Sequence, residues 1–428
     1  ATGSGMARRV VPMAEPYGRE GLPLEQARCE ILAALAPPGR REELPLAAGL
    51  GRTLAEPVLA PAAVPGFRAS IMDGYAIAGA AEPPGPGSEW QLVGCSAAGA
   101  PFQGELSPGQ AVRILTGAVV PEGSERVLPQ ELVQRSEGSA GARIALVGSC
   151  GPNPWIRQPQ EEAAPGQVLA AAGQALGPAD LGRLASCGVE RLTLWGRPRI
   201  GLLISGDELR PPGSARGPGQ IWESNSALLT ALLERLGYGV SALRVVADQP
   251  EPLRQALREL AGSCDVVVST GGVSAGDTDW IRGLVAELGE VRFWKLFLKP
   301  GRPFAWGQVA GTPFFGLPGN PVAAAITALQ LLWPALQVLE GAELQLLPRL
   351  KVRLEAPLRR GAGRPELARA RLVVDADGTL LARLEGSQAS SRIGSLQGAD
   401  LLLEIPAELG SLEAGTELWA QLLRLPLF

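Results

Sequence analysis

The sequence predicts a multidomain α/β-plus-β protein: a central α/β domain on a mostly parallel sheet, accompanied by β-rich units. Three observations predict it. From Arg199 onward, short apolar or β-branched runs alternate with helical patterns, the signature of a parallel sheet covered on both faces. Pro61 to Asn153 instead carries short strands, frequent Gly and Pro, and closely spaced turn signals. Leu350 to Phe428 returns to short alternating strands. A chain of 428 residues is too long for one core, so roughly two to four domains are expected.

Leu24 to Leu35 has helical spacing and ends before Pro37-Pro38-Gly39. A second amphipathic piece covers the region of Leu44 to Leu54. The Pro61–Asn153 segment reads as a small β domain, with turns such as Pro83-Pro84-Gly85 and Pro108-Gly109. Mixed character returns from Pro165-Gly166 to Gly196, with a helix near Ala179 to Ser186. Then Arg199–Ser205 reads as strand, Asn225–Leu236 as helix, Val240–Val246 as strand and Pro252–Ala261 as helix. Val266–Ser269 is strand, Thr278–Leu288 helix, and Val291–Leu298 and Phe314–Leu317 strands, before a long helix from Pro321. Strands such as Ala368–Val374 and Thr379–Leu384 make the last segment a small barrel or sandwich.

At 46% hydrophobic and 19% charged, the chain is globular. A net charge of −4 gives no reason to expect nucleic acid or an anionic membrane as partner. Histidine is absent, which excludes an imidazole base, a Ser-His-Asp triad and a His-ligated metal. Five cysteines, Cys29, Cys95, Cys150, Cys187 and Cys264, are scattered without a Cys-x-x-Cys and fit reduced thiols in a cytoplasmic protein. What remains for chemistry is carboxylates, Lys and Arg, hydroxyls and backbone amides, a set suited to Mg²⁺ and to oxyanions. No secretory leader is read, and Ala1 to Gly5 reads as an expression remnant ahead of Met6. The uncharged stretch between Arg302 and Glu340 is broken by Gly316-Leu317-Pro318-Gly319-Asn320-Pro321 and by Thr327, Gln330, Pro334 and Gln337. It reads as a buried strand and helix, not a membrane span.

The densest motif is Val266-Val267-Val268-Ser269-Thr270-Gly271-Gly272-Val273-Ser274-Ala275-Gly276-Asp277-Thr278-Asp279-Trp280. Thr270-Gly271-Gly272 precedes a helix, so free amides and the helix dipole can face a phosphate, and the glycines allow close approach. An ordinary tight turn would look the same, so the neighbouring loops carry the argument. Ser205-Gly206-Asp207-Glu208-Leu209, Lys299-Pro300-Gly301-Arg302-Pro303 and Gly316-Leu317-Pro318-Gly319-Asn320-Pro321 also follow strands, and parallel strands deliver them to one rim. Asp207, Glu208, Asp277 and Asp279 bring carboxylates there; Asp277 reads best as a cap of the following helix. Mg²⁺ takes about one or two carboxylates plus phosphate oxygens, so these acids outnumber one ion's needs. Lys299 and Arg302 supply the opposite sign, while Lys295, on the same strand face, reads as a solvated cation. Asn320-Pro321 opens the long helix as cap and first-turn proline. In the β domain, Ser70-Ile71-Met72-Asp73-Gly74-Tyr75-Ala76, Arg113-Ile114-Leu115-Thr116-Gly117-Ala118 and Pro129-Gln130-Glu131 are turns of a common kind, weak singly.

In order along the chain, these loops resemble the molybdopterin molybdenumtransferases, the family of bacterial MoeA and the gephyrin E domain. The resemblance runs from Leu24 to about Ala420. Besides the motifs above it is carried by Pro65-Gly66-Phe67, Ala98-Gly99-Ala100-Pro101-Phe102, Pro121-Glu122-Gly123, Asn153 with Ile156-Arg157, and Glu223-Ser224-Asn225. It implies an elongated N-terminal domain (6–60 and 154–196), an inserted β domain (61–153), an α/β domain like those of molybdopterin-binding proteins (197–346) and a C-terminal β-barrel (347–428). It implies a homodimer whose active cleft lies between the inserted domain of one subunit and the α/β domain of the other. The implied substrates are molybdate and adenylylated molybdopterin, with Mg²⁺ as cofactor and AMP released. The pterin brings its own thiolates, so no protein cysteine is required. By position, Asp73, Thr116, Glu208 and Asp279 are implied as catalytic. Thr270, Gly271, Gly272, Ser274, Lys299, Arg302, Pro318, Asn320 and Pro321 are implied as substrate contacts. Asp73, Glu162, Glu208, Glu223 and Asp279 are implied on the metal side. The implied partners are a second copy and the molybdopterin adenylyltransferase, with neither nucleic acid nor membrane. Departures exist. Arg68-Ala69 replaces Asp-Asn, Gln160 and Glu162 replace Gly and Asp, Trp222-Glu223 replaces Tyr-Asp, and Arg302 replaces the common lysine. They change reach, and leave room for a tungstate-preferring paralogue. Pterin adenylylation, from the likeness of the α/β domain alone, and a non-catalytic scaffold are the rival readings; the inserted and C-terminal domains argue against the former.

Overall fold

A computed structural model describes residues 21–139, 141–272, 280–384 and 386–424. Its central sheet runs in the order Leu22–Pro23, Gly289–Phe297, Pro303–Val309, Thr312–Leu317, Val266–Thr270, Ile200–Ser205, Val240–Val246. Val266, Val267 and Val268 are fully buried because helices cover both faces. Leu229, Leu233, Val322 and Ile326 pack on one side, and Leu253, Leu257, Ile281 and Val285 on the other. An unbroken apolar strand is the expected consequence of two covered faces.

The sheet holds two strands that the sequence reading lacks, the two-residue Leu22–Pro23 at its edge and Pro303–Val309. Pro303–Val309 was not anticipated, and it runs antiparallel to both neighbours. Ala310 (φ 48°) and Gly311 (φ 83°) close it onto Thr312–Leu317. Positive φ at both central residues is the two-residue hairpin turn matched to strand twist. The Gly289–Phe297 strand consequently still runs parallel to Thr312–Leu317, and the carboxyl ends of the five expected strands reach one rim. Lys299-Pro300-Gly301-Arg302 is then a loop between antiparallel strands at that rim.

The long helix is continuous from Pro321 to Glu340, but Ala328–Leu332 is π-helical between two α-helical parts. It is long and apolar enough to cross a membrane, yet 94% of its apolar window is buried inside the protein. The Leu44–Leu54 piece is not one amphipathic element. It resolves into the strand Arg41–Pro45 and a 3₁₀ turn Leu46–Ala48, because Arg41–Pro45 pairs with Arg191–Trp195.

Three two-stranded pairings hold the outgoing and returning chain side by side: Arg41–Pro45 with Arg191–Trp195, Val58–Leu59 with Val168–Ala170, and Ala69–Ser70 with Ile156–Arg157. Beyond the last pair stands a sheet ordered Ser124–Pro129, Gly74–Ala78, Gln110–Ile114, Glu89–Ser96, Gly141–Leu146, Val133–Gly138. The C-terminal strands Arg349–Leu354, Leu380–Arg383, Glu366–Val374, Leu401–Ile405 and Glu417–Leu422 close into a barrel, which decides between barrel and sandwich.

Candidate functional site

At the carboxyl rim of the central sheet lies a cavity of about 740 Å³. Thr270, Gly271 and Gly272 form part of its wall, with Glu208, Glu223, Lys299, Arg302, Pro318, Asn320 and Pro321. Four loops far apart in sequence therefore meet, as strand polarity demands. Ser274, Asp277 and Asp279 lie outside the described residues.

The glycines are required by geometry. Gly271 has φ +84°, and a Cβ there would sit 2.6 Å from the Ser205 carbonyl oxygen. Gly272 has φ +63°, and its Cβ would meet Ile281 at 2.6 Å. A Cβ on Gly319 would lie 3.5 Å from Gly271 Cα, so the two glycine loops touch. Asn225 joins them: its Nδ2 donates to the Gly319 carbonyl (2.8 Å) and to Thr270 Oγ1 (3.2 Å). Its Oδ1, like Ser205 Oγ, is buried without a protein partner among the described residues. Both residues belong to the cavity wall.

Lys299 is held in place from the barrel. Its Nζ pairs with Glu366 Oε1 at 3.1 Å, and Glu366 Oε2 takes Arg360 Nε at 3.2 Å. The Lys299 amide donates to the Pro365 carbonyl (2.9 Å), and the Leu367 amide donates back to the Lys299 carbonyl (2.8 Å). The barrel also supplies wall that sequence reasoning missed: Arg364, Gln388, Ser390 and Ser391. Asn320 does not cap its helix with its side chain, as expected; its Nδ2 donates to Ser390 Oγ at 2.9 Å instead. Pro321 does stand in the first turn.

The carboxylates fall into three groups. Asp248 was missed by sequence reasoning. It lies just past the Val240–Val246 strand, where its amide donates to Asp207 Oδ1 (3.1 Å). Burial, then Asp207 and Glu208, push its carboxyl up, and its Oδ1 is buried without a protein partner among the described residues. Glu223 is spent on helix structure: Oε1 accepts the Ser226 amide (2.8 Å) and Oε2 accepts the Ser226 hydroxyl. Glu162 pairs with Arg183 at 2.9 Å and does not line the cavity.

Asp73 and Thr116 do meet, outside this wall. Asp73 Oδ1 accepts the Thr116 amide (2.7 Å) and hydroxyl (2.8 Å). Those bonds, the backbone one foremost, hold the Asp73 carboxyl below the usual aspartate range. The pair is exposed, and neither residue lines the cavity of its own chain.

Residues 22–188 match the MoeA N-terminal region (domains I and II), 201–338 the probable molybdopterin binding domain, and 351–423 the MoeA C-terminal region (domain IV). The chain is 33% identical over 395 residues to the molybdopterin molybdenumtransferase of Haemophilus influenzae, covering 92% of this chain and 96% of that one. It is 32% identical to molybdopterin molybdenumtransferase 2 of Mycobacterium tuberculosis, covering 92% and 98%. The solved molybdopterin biosynthesis MoeA protein of Pyrococcus horikoshii OT3 superposes with a TM-score of 0.77 at 26% identity, covering 94% and 99%.

Proposed function

This chain belongs to the MoeA family of molybdopterin molybdenumtransferases, enzymes of molybdenum cofactor biosynthesis, and from that premise we propose that it transfers molybdenum from molybdate to adenylylated molybdopterin with release of AMP. One observation carries the reading: a single cavity joins a glycine-loop amide cradle, three cationic side chains and a carboxylate rim. Thr270-Gly271-Gly272 suits a phosphate, because two glycines let a ligand approach backbone amides at close range. Lys299, Arg302 and Arg364 suit the remaining oxyanion, molybdate or the pterin phosphate. The pterin's dithiolene supplies sulfur for the metal. No cysteine is needed, and none is among the described residues that line the cavity.

Among the described residues no three acidic side chains are grouped to hold a metal ion by themselves, so Mg²⁺ would meet Glu208 on the cavity wall together with phosphate oxygens. Hard carboxylate oxygens suit that ion. When bound, the ion would draw charge from the phosphoanhydride as it breaks. The protein's own contribution is to fix the phosphate on the amide cradle and the oxyanion on Lys299. Both anchors are rigid, the first through Asn225 and the second through Glu366.

In this reading the enzyme is a homodimer, and Asp73 with Thr116 of one subunit faces the cavity of the other. Their exposure, and their absence from their own chain's cavity wall, support that arrangement.

The test is AMP release from adenylylated molybdopterin, followed with and without molybdate. Release that depends on molybdate is expected, and Asp73→Ala and Glu208→Ala should stay folded and lose it. Unchanged turnover in both variants removes the site assignment. Robust formation of adenylylated pterin from ATP replaces the reaction by the preceding one.

A further inference from the structure

Trp222 is a large aromatic on the cavity wall, 47% exposed, and the reaction as proposed leaves it without a task. Its indole is held in place. Nε1 donates to the Ser214 carbonyl at 2.9 Å, and the Arg216 guanidinium lies 3.7 Å from the ring centroid. Its backbone is equally fixed, because Ile221–Trp222 pairs with Leu209–Arg210, directly after Glu208. The Ile221 amide donates to the Glu208 carbonyl (2.9 Å) and the Glu223 amide to the Arg210 carbonyl (2.8 Å). A side chain with two rotatable bonds, already hydrogen-bonded and cation-stacked, loses little freedom when a second ring covers it.

We propose that Trp222, backed by Arg216, is the stacking platform for a flat heteroaromatic ring of the cavity's ligand. That is a purine or a pterin, both planar and both offering a π-face. The inference rests on the reading that this cavity takes an adenylylated pterin. It adds the ring-recognition surface to a wall whose other features, amide cradle, cations and carboxylates, address only charged groups. The phosphate end and the ring end of the ligand are thereby read by different parts of one cavity.

The experiment is calorimetric titration of the full chain with AMP, with ribose 5-phosphate and with 6-hydroxymethylpterin, for wild type, Trp222→Ala and Trp222→Phe. Stacking losses on alanine substitution correspond to affinity falling by about fivefold to a hundredfold. That loss is expected in Trp222→Ala for AMP if the purine stacks, or for the pterin if the pterin does. Ribose 5-phosphate binding should not change. Trp222→Phe keeps a π-face and should recover most of the ring-specific affinity. Equal losses for AMP and ribose 5-phosphate, or no loss for either ring, overturn the platform. So does a fall in assembly size without ring-specific loss, since the indole would then belong to a contact between copies. A wild-type protein that binds neither ring overturns the cavity reading as well, which separates the two failures.

Discussion

Asp73 accepts two hydrogen bonds on one oxygen, both from Thr116, and this sets how its charge responds to pH. Bonds to the ionised form lower the carboxyl, so it stays charged through neutral pH and protonates only below the ordinary aspartate value of about 3.9. By linkage, whatever stability the pair adds is present above that value and is lost as pH falls through the lower folded one. Thr116→Val removes the hydroxyl but keeps the amide. The acid limb of the pH–turnover profile should therefore move to higher pH, while Tm stays put because both side chains are exposed. An acid limb unmoved in the variant would take Asp73 out of the chemistry. Both residues could be nominated from sequence because each sits beside a glycine in a short motif. Asp248 could not: it follows a strand with a largely exposed face, and no glycine or turn marks it. Arg364 and Ser390 were invisible for a different reason, since only the closed barrel brings them to a rim built by another sheet.

The long helix shows what an element's polar residues decide. Its π-helical stretch carries Gln330, buried at 3% exposure, whose carbonyl and Oε1 accept Arg28 Nε (3.0 Å) and Nη2 (3.1 Å). Gln330 Nε2 donates to Gln421 Oε1 at 2.6 Å, and Gln421 Nε2 donates to Glu404 Oε1 at 3.0 Å. One network thus joins the first helix, the core helix and the barrel. Such a chain makes sense of polar residues in an apolar run, where an unpaired guanidinium would cost far more than a paired one. Gln330→Leu should lower stability by about 2–3 kcal/mol, seen as a lower urea midpoint at unchanged m. Gln330→Leu with Gln421→Leu should cost less than the two single changes added, because they share one network. Full additivity would show that the network is not coupled. The helix itself was legible from Asn320-Pro321 and an apolar run, and its glutamines already argued against a membrane span. The strand Pro303–Val309 was not, because Pro303 to Leu317 reads as one apolar stretch. The turn that splits it is Ala310-Gly311, without the Asn-Gly or Asp-Gly pattern that usually announces a hairpin.

At the scale of the molecule, the barrel is part of the site as well as an appendage to the fold. It clamps the Lys299 backbone through Pro365 and Leu367, pairs its ammonium through Glu366, and extends the cavity wall with Arg364, Ser390 and Ser391. What one chain does not bring to that cavity is the Asp73–Thr116 pair, held on a sheet that stands beyond the paired strands Ala69–Ser70 and Ile156–Arg157. In the proposed two-fold dimer, each inserted domain would face the other subunit's rim and bring that pair to it symmetrically. This predicts complementation. Asp73→Asn and Glu208→Gln should each be inactive as homodimers, since every site loses one of the two groups. Co-expressed with different tags and purified as the mixed dimer, one site would carry both defects. The other would carry the intact Asp73 of the Glu208→Gln chain and the intact Glu208 of the Asp73→Asn chain. Turnover per dimer should then recover to about half that of wild type, one intact site in two. If both groups served a cavity within their own chain, each chain of the mixed dimer would keep its defect and no activity would return.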